Sequence, residues 1–383
     1  MNKKVFMNSP SKLLLITVEN WEGIARLPKA LQTAGFKVAV LCPSISFIAK
    51  TLYVDRLFYL NTKEYSEEML QKIIQVIRDW QPSIIIPGDD WTVGFLQYWV
   101  ISTLEEQSRI LPLDALKLIQ FSLGEPKYYK YTISKKKIQE IALEINLRTP
   151  PQILVTGIAD TLNFVNEYSY PVVLKKEFCS GGHGVRICFN EKKLQEAIDE
   201  FQFAHQESSS IILQKYIHGQ TAMHSLVAMS GKVLAGLTAI KEQVHPTPTG
   251  PSTVVKFITQ PEIESTVSIL INHLGYTGFA SFDFIIEEKT GLAYLLESNP
   301  RPTPICHLGE IVGIDLCAAL FAAISGRCYS SSKLTKVNTL IALFPQEWRR
   351  DLKSIYLQNA YHDVPWDDPA LFKAYCKSSC WGG

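Results

Sequence analysis

The segment Gly278 to Pro302, GFASFDFIIEEKTGLAYLLESNPRP, constrains the fold more tightly than any other part of the chain. Phe282, Phe284 and Ile286 alternate with Ser281, Asp283, Ile285 and Glu287, the period of two that gives a strand one apolar face. Glu288-Lys289-Thr290-Gly291 is a turn signal, and Ala293 to Asn299 form a second alternating run. A register pairing Asp283 with Glu297 leaves a loop of about five residues, within the usual hairpin range. Both carboxylates then share one face, with Asn299 beside them. Two adjacent carboxylates repel unless a proton or cation separates them. Mg²⁺ takes oxygen ligands and is typically held by one or two carboxylates. Taken alone, the segment fits a surface hairpin with scattered acids equally well.

A second segment favours the chemical reading. Tyr170 to Lys176 (YPVVLKK) reads as a strand, Phe178 to Gly184 (FCSGGHG) as a flexible turn, and Val185 to Phe189 (VRICF) as the returning strand. Ser180, Gly181, Gly182 and Gly184 let backbone N–H groups approach an anion closely. No Gly-Lys-Ser/Thr follows and no helix opens after the turn, so this is a hairpin flap and not a P-loop. Lys175 and Lys176 are neighbours on a strand, so only one of them can face a ligand beneath the flap.

Together these segments resemble the ATP-grasp superfamily, and the resemblance covers most of the chain. PSIIIPGDD (Pro82 to Asp90) is similar to the end of its N-terminal domain, and KKKIQEIALEINLRTPP (Lys135 to Pro151) to the helix and link entering its lid. IILQKYIHG (Ile211 to Gly219) resembles the adenine-reading hinge, and FDFIIEEKTGLAYLLESNPR the Mg²⁺ hairpin. The implied fold is α/β with an α+β lid: a Rossmann-like pre-ATP-grasp domain over residues 1–125, a helical linker over 126–151, a lid over 152–213, a catalytic subdomain over 214–330 and a C-terminal extension over 331–383. The resemblance implies an ATP-dependent, ADP-forming ligase that joins a carboxylate to an amine through an acyl phosphate. Activation of an enol-type oxygen, carboxylation, and a non-catalytic nucleotide-binding module stay open as alternatives.

The resemblance also implies roles. Lys175 would contact the α- and β-phosphates, and Lys135 would be the earlier phosphate lysine, although a slip of one residue moves that role to Lys136 or Lys137. Ser180, Gly181, Gly182 and Gly184 would cover the phosphates. Gln214 stands where relatives carry an acid reading the adenine amino group, and its amide carbonyl can accept the same bond. The backbones of Lys215 and Ile217 would complete the adenine contacts. Thr221 replaces a ribose-binding Glu. Asp283, Glu297 and Asn299 would hold one or two Mg²⁺ ions, or Mn²⁺ in their place. Arg301 would face the γ-phosphate or a substrate carboxylate. His183 and His245 could carry protons, though a lone His is more often structural.

Composition agrees. At 383 residues the chain exceeds one ordinary core. The 38 basic and 37 acidic residues give net charge +1, which supplies no electrostatic case for nucleic acid or membrane partners. Small-molecule carboxylate and amine substrates, with room for a homodimer, are the expected partners. The apolar run Leu13 to Val18 is too short for a secretory signal, and no run approaches a bilayer span, so a cytoplasmic enzyme is expected. The eight cysteines contain no CxxC pair and read as small buried hydrophobes, and Cys376 and Cys380 lack the further ligands a metal site needs. Residues 1–125 alternate strand and helix, predicting a parallel sheet with helices on both faces. The turn Glu19 to Gly23 follows its first strand and is placed to help bind the second substrate. The tail carries no evident chemistry beyond packing or dimerisation, with a short helix over Leu371 to Lys377.

Overall fold

Leu13 and Leu15 point to one side of the first strand, Leu14 and Ile16 to the other, and all four are fully buried. A strand apolar on both faces belongs inside a covered parallel sheet. The computed structural model, which describes residues 11–60, 66–105, 110–179, 181–203, 210–330 and 336–378, places it there. Strands β1 (Lys12–Ile16), β2 (Lys37–Pro43), β3 (Arg56–Leu60) and β4 (Ile84–Pro87) form a parallel sheet of order β3-β2-β1-β4. Leu27 and Leu31 of helix Leu27–Ala34 cover one face, and helices Glu67–Trp80 and Asp90–Glu105 cover the other. Asp89, fully buried, closes the carboxyl end of this sheet. Its Oδ2 accepts from Thr17 Oγ1 at 2.6 Å, Val18 N at 2.6 Å and Glu19 N at 3.1 Å, and its Oδ1 from Thr92 N at 2.7 Å. These bonds fix the turn that carries Glu19 to Glu22.

A second sheet, β5 (Gln152–Leu154), β6 (Val172–Lys176), β7 (Val185–Cys188) and β8 (Ile211–Lys215), is antiparallel in the order β5-β8-β6-β7. Val172 and Leu174 pack under helices Ile158–Tyr168 and Glu191–Phe203, which leaves Val173 and Lys175 for the opposite face. A third sheet has seven strands: β9 (Gly219–Met229), β10 (Lys232–Val244), β11 (Ser252–Ile258), β12 (Gly278–Glu287), β13 (Ala293–Asn299), β14 (Leu340–Leu343) and β15 (Tyr361–Asp363), ordered β13-β12-β9-β10-β11-β14-β15. The tail thus supplies two strands to the sheet that carries the acidic hairpin, and Tyr375 of its last helix, Pro369–Lys377, is fully buried. One face of the large sheet packs on helices Lys135–Glu144 and Pro261–Leu274, the other on helix Leu316–Ser325 and the first sheet.

Cysteine placement corrects one expectation: Cys42, Cys188, Cys306 and Cys317 are buried, but Cys328 and Cys376 are exposed, and Cys380 lies outside the described residues. No helix among the described residues is long and apolar enough to cross a membrane.

The large sheet also contains a pH liability. His224 on β9 is 3 % exposed, and its Nδ1 lies 2.8 Å from Thr238 Oγ1 on β10. Burial without an acidic partner lowers its pKa from 6.5 to about 4. Unfolded chains bind this proton near pH 6.5 and the folded protein only near pH 4, so the stability it contributes is present above pH 6.5 and lost as pH falls toward 4. The expected loss is about 3 kcal/mol by pH 4. Urea unfolding at pH 7 and 4.5 should show a smaller difference in His224→Gln than in the wild type; equal differences would remove His224 as the source.

Candidate active site

The hairpin forms in the register that the carboxylates require. Asp283 on β12 lies directly opposite Glu297 on β13, and residues 288–292 make the turn. One irregularity interrupts the pairing: Phe284 faces Leu295, leaving Leu296 as a bulge whose carbonyl accepts from Gln139 Nε2 at 2.7 Å. A third group joins from two strands away. Asp283 faces Met223 on β9, which faces Ala239 on β10, and Lys241 lies on the same side two residues further on. Its Nζ reaches Asp283 Oδ2 at 2.5 Å, while Lys135 Nζ lies 3.7 Å from Glu297 Oε2.

The electrostatics of this group are unequal. Burial raises the Asp283 carboxyl above its usual range, and Lys241 offsets this only in part because the Glu297 charge adds to it. For Glu297 burial acts in the same direction, but Lys135, Lys175 and Lys241 together outweigh it and hold the carboxyl low. Burial pushes Lys175 down to about 8, against the pull of Glu297. Asp283 and Glu297 stand opposite each other, and two facing carboxylates are an arrangement a divalent cation would satisfy. Among the described residues no group of three or more His, Cys, Asp or Glu side chains comes together; Asp283, Glu297 and the Asn299 amide all line the cavity.

Strand alternation separates the two adjacent lysines. Lys175 is 7 % exposed and lines the cavity, whereas Lys176 sets its Nζ 4.8 Å over the Phe201 ring on the outer face. Of the three lysines opening helix Lys135–Glu144, only Lys135 reaches the cavity; Lys136 pairs with Glu140 at 3.3 Å and Lys137 is exposed. Lys135 Nζ also donates to the Cys179 carbonyl at the base of the flap. The Glu177 carboxylate accepts from Ser134 Oγ and from Lys136 N at 3.2 Å, tying that base to the helix N-terminus. Gly181 and Gly182 adopt φ of +65° and +76°, and a Cβ at Gly182 would stand 2.0 Å from the Thr249 carbonyl oxygen. The flap therefore rests on the loop Pro248 to Pro251 with its backbone. His183, carried outward by this turn, is exposed, and neither it nor His245 or Gly184 lines the cavity. Ser180 lies outside the described residues.

At the hinge, β8 ends at Lys215 and β9 begins at Gly219, so Tyr216 to His218 leave the ladder. Gln214, 2 % exposed, donates its amide to Gln152 Oε1 at 3.2 Å and Gln139 Oε1 at 3.4 Å. With both donors engaged, its carbonyl is the end left for a ligand. Lys215 N–H is spent on the Pro151 carbonyl at 2.9 Å, so only its carbonyl can serve a base there. Lys215, Ile217 and Thr221 all line the cavity.

Of the far wall, the sequence marks Arg301 and the turn after β1, but not Asp90, Glu22 as a partner, or Arg349. Arg301 Nη2 pairs with Asp90 Oδ2 at 2.8 Å, and its guanidinium lies 5.7 Å from the Trp21 ring. Arg349, from the tail, pairs with Glu22 Oε1 at 2.6 Å and donates to the Tyr375 carbonyl at 2.8 Å. Together with the lysines, the acidic pair, the flap and the hinge, these groups enclose one cavity of about 680 Å³. That size suits a nucleotide with a second small molecule.

Comparison with known proteins decides the family. The model of the carbamoyl-phosphate synthase L chain ATP-binding domain matches residues 134–326, half of the chain. The chain belongs to this ATP-grasp family. The matched span of the family domain begins at Ser134, which caps the helix carrying Lys135, and it includes Lys175, the flap, the hinge, Lys241, the acidic hairpin and Arg301. The large chain of carbamoyl phosphate synthase from Thermotoga neapolitana is 24 % identical over 289 residues, 71 % of this chain. This chain spans 24 % of that relative's length. Solved ATP-grasp structures share the fold. The biotin carboxylase domain of Hydrogenobacter thermophilus 2-oxoglutarate carboxylase, in complex with MgADP, ADP and bicarbonate, aligns with TM-score 0.64 and 20 % identity over 87 % of this chain and 74 % of that one. N5-carboxyaminoimidazole synthetase from Staphylococcus aureus gives TM-score 0.63 and 16 % identity over 86 % and 81 % of the two chains. L-amino acid ligase from Bacillus licheniformis gives 0.57 and 19 % over 83 % and 75 %.

Proposed function

We propose that this ATP-grasp protein is an ADP-forming ligase that activates a carboxylate as its acyl phosphate and passes the acyl group to an amine. The observation that carries the reading is the meeting of Asp283 and Glu297 with Lys135, Lys175 and Lys241 in one cavity beneath a glycine flap. Lys135 and Lys175 supply fixed positive charge for the phosphates, and the flap backbone covers them. Gln214 and the hinge backbone at Lys215 and Ile217 orient the adenine, with Thr221 toward the ribose. Asp283, Glu297 and Asn299 would hold Mg²⁺, whose bound charge would polarise the phosphate oxygens.

In the first step a substrate carboxylate oxygen bonds to the γ-phosphorus and the bond to the ADP oxygen breaks. In the second, the amine nitrogen bonds to the acyl carbon, inorganic phosphate leaves, and the nitrogen loses a proton. The protein contributes position and charge, and by closing its flap it excludes the water that would hydrolyse the acyl phosphate. No nucleophilic side chain is required.

A carboxylate labelled with ¹⁸O tests this. In a panel of amino acids and organic acids with MgATP, the productive acid should transfer one ¹⁸O to the released phosphate, and ADP release should depend on the amine. ADP release with no label transfer from any acid would overturn carboxylate activation.

A further inference from the structure

We propose that the amine co-substrate carries an apolar body and no phosphate, and that the C-terminal segment builds part of the wall selecting it. This inference rests on the ligase reading above. The cavity is polarised. At one end Lys135, Lys175 and Lys241 outnumber Asp283 and Glu297 and suit a polyphosphate. On the adjoining wall each arginine carries a carboxylate partner, Arg301 with Asp90 at 2.8 Å and Arg349 with Glu22 at 2.6 Å, and Arg301 Nε has no hydrogen-bond partner among the described residues. Glu19 and Asp89 add further negative charge around the Arg301 guanidinium. A second phosphate arriving here would meet carboxylates, whereas an ammonium group would be attracted.

The uncharged groups of the same wall agree. Gln346 and Ser252 line the cavity, and among the described residues the Gln346 side-chain carbonyl and the Ser252 hydroxyl have no hydrogen-bond partner. A carbonyl oxygen accepts only, so Gln346, once turned so that its now buried Oε1 meets the cavity, would take an N–H or O–H donor. Trp21 and Pro304 supply apolar surface beside these polar groups, backed by the buried Ile305 and Leu343. Leu343 ends strand β14 of the tail, and Gln346 and Arg349 lie in the short helix Gln346–Arg350 that follows it. Arg349 holds Glu22 in place, making it a positioning residue; its Nη2 is anchored on the Tyr375 carbonyl, and the Tyr375 hydroxyl donates to the Glu22 carbonyl at 2.5 Å.

Calorimetry on the full chain separates this inference from the reading beneath it. MgADP is titrated first, and phenethylamine or O-phosphoethanolamine is then titrated into the MgADP complex. Phenethylamine should bind, O-phosphoethanolamine should bind at least about tenfold more weakly, and Glu19→Gln should weaken phenethylamine by about fivefold, the scale of one partly screened charge contact. Gln346→Lys adds a cation to the wall and should reverse the preference, a gain that misfolding cannot mimic. If MgADP binds but phenethylamine does not, or the phosphoamine binds as well as phenethylamine, the inference fails and the ligase reading stands. If MgADP does not bind, the ligase reading itself fails.

Discussion

Glu297→Ala should leave a folded protein whose MgATP-dependent turnover falls by on the order of 10²-fold or more, the usual consequence of removing a metal ligand. The side chain sits at the cavity, 27 % exposed, so its removal opens no void in a packed core. Three lysines hold this carboxyl below its usual range, while burial raises that of its partner Asp283. Asp283 Oδ2 is already engaged by Lys241 at 2.5 Å, so it does not make good the lost carboxylate. Removing Glu297 also leaves Lys135, Lys175 and Lys241 with less opposing charge, so metal-free ADP should bind the variant at least as well as the wild type. The two readouts move in opposite directions, which a general loss of folding cannot produce. Turnover within about threefold of wild type would remove Glu297 from the metal-binding set.

Lys175→Ala should weaken ATP binding by roughly 10- to 100-fold, the scale of one or two charge-assisted phosphate contacts, and Lys176→Ala by less than about threefold. The cause is alternation: Lys175 faces the cavity from β6 and Lys176 packs over Phe201 on the other side. Titration of Lys175 adds a sign that can be checked. In the free protein its pKa is pushed down to about 8, and a nearby polyphosphate favours the ammonium form and raises it again. Above pH 8 binding therefore takes up a proton, so affinity is greatest below that pH and falls as pH rises, by up to about tenfold per unit. The fall should vanish in Lys175→Ala. A pH slope unchanged by this substitution would assign the titration to another group.

The parts of the site that could be read in the chain are those set by neighbours in sequence. Alternation along Ser281 to Glu287 and Ala293 to Asn299, with a turn between, is enough to place Asp283 opposite Glu297, as observed. Alternation likewise separates Lys175 from Lys176. The remaining parts depend on pairing between distant strands. Lys241 reaches Asp283 only because β9 lies between β10 and β12, an order with no local signature. Asp90 meets Arg301 across 211 residues, and Arg349 meets Glu22 across 327, so neither pair leaves a periodic mark. The tail looked like a packing appendage because β14 is a four-residue apolar run and β15 has only three residues. His183 is the imidazole nearest the glycines, yet Gly181 and Gly182 take positive φ and His183 is exposed. Glycine content announces a flexible turn but not the direction in which its neighbours point.

The central claim is that ATP lies between the hinge and the acidic hairpin with the flap above it. Hydrogen exchange at two separate segments, 181–185 and 214–217, measured with and without MgATP, tests it most directly. The flap has glycine backbone resting on Thr249 and no large apolar anchor, so without ligand its amides should exchange readily. Bound phosphates give those amides charged acceptors worth about 1.5–3 kcal/mol each, and the adenine occupies backbone groups at the hinge. Protection should rise in both segments together in the wild type, and much less in Lys175→Ala at the same ATP concentration. MgATP binding that leaves exchange unchanged in both segments would place the nucleotide elsewhere and contradict the account.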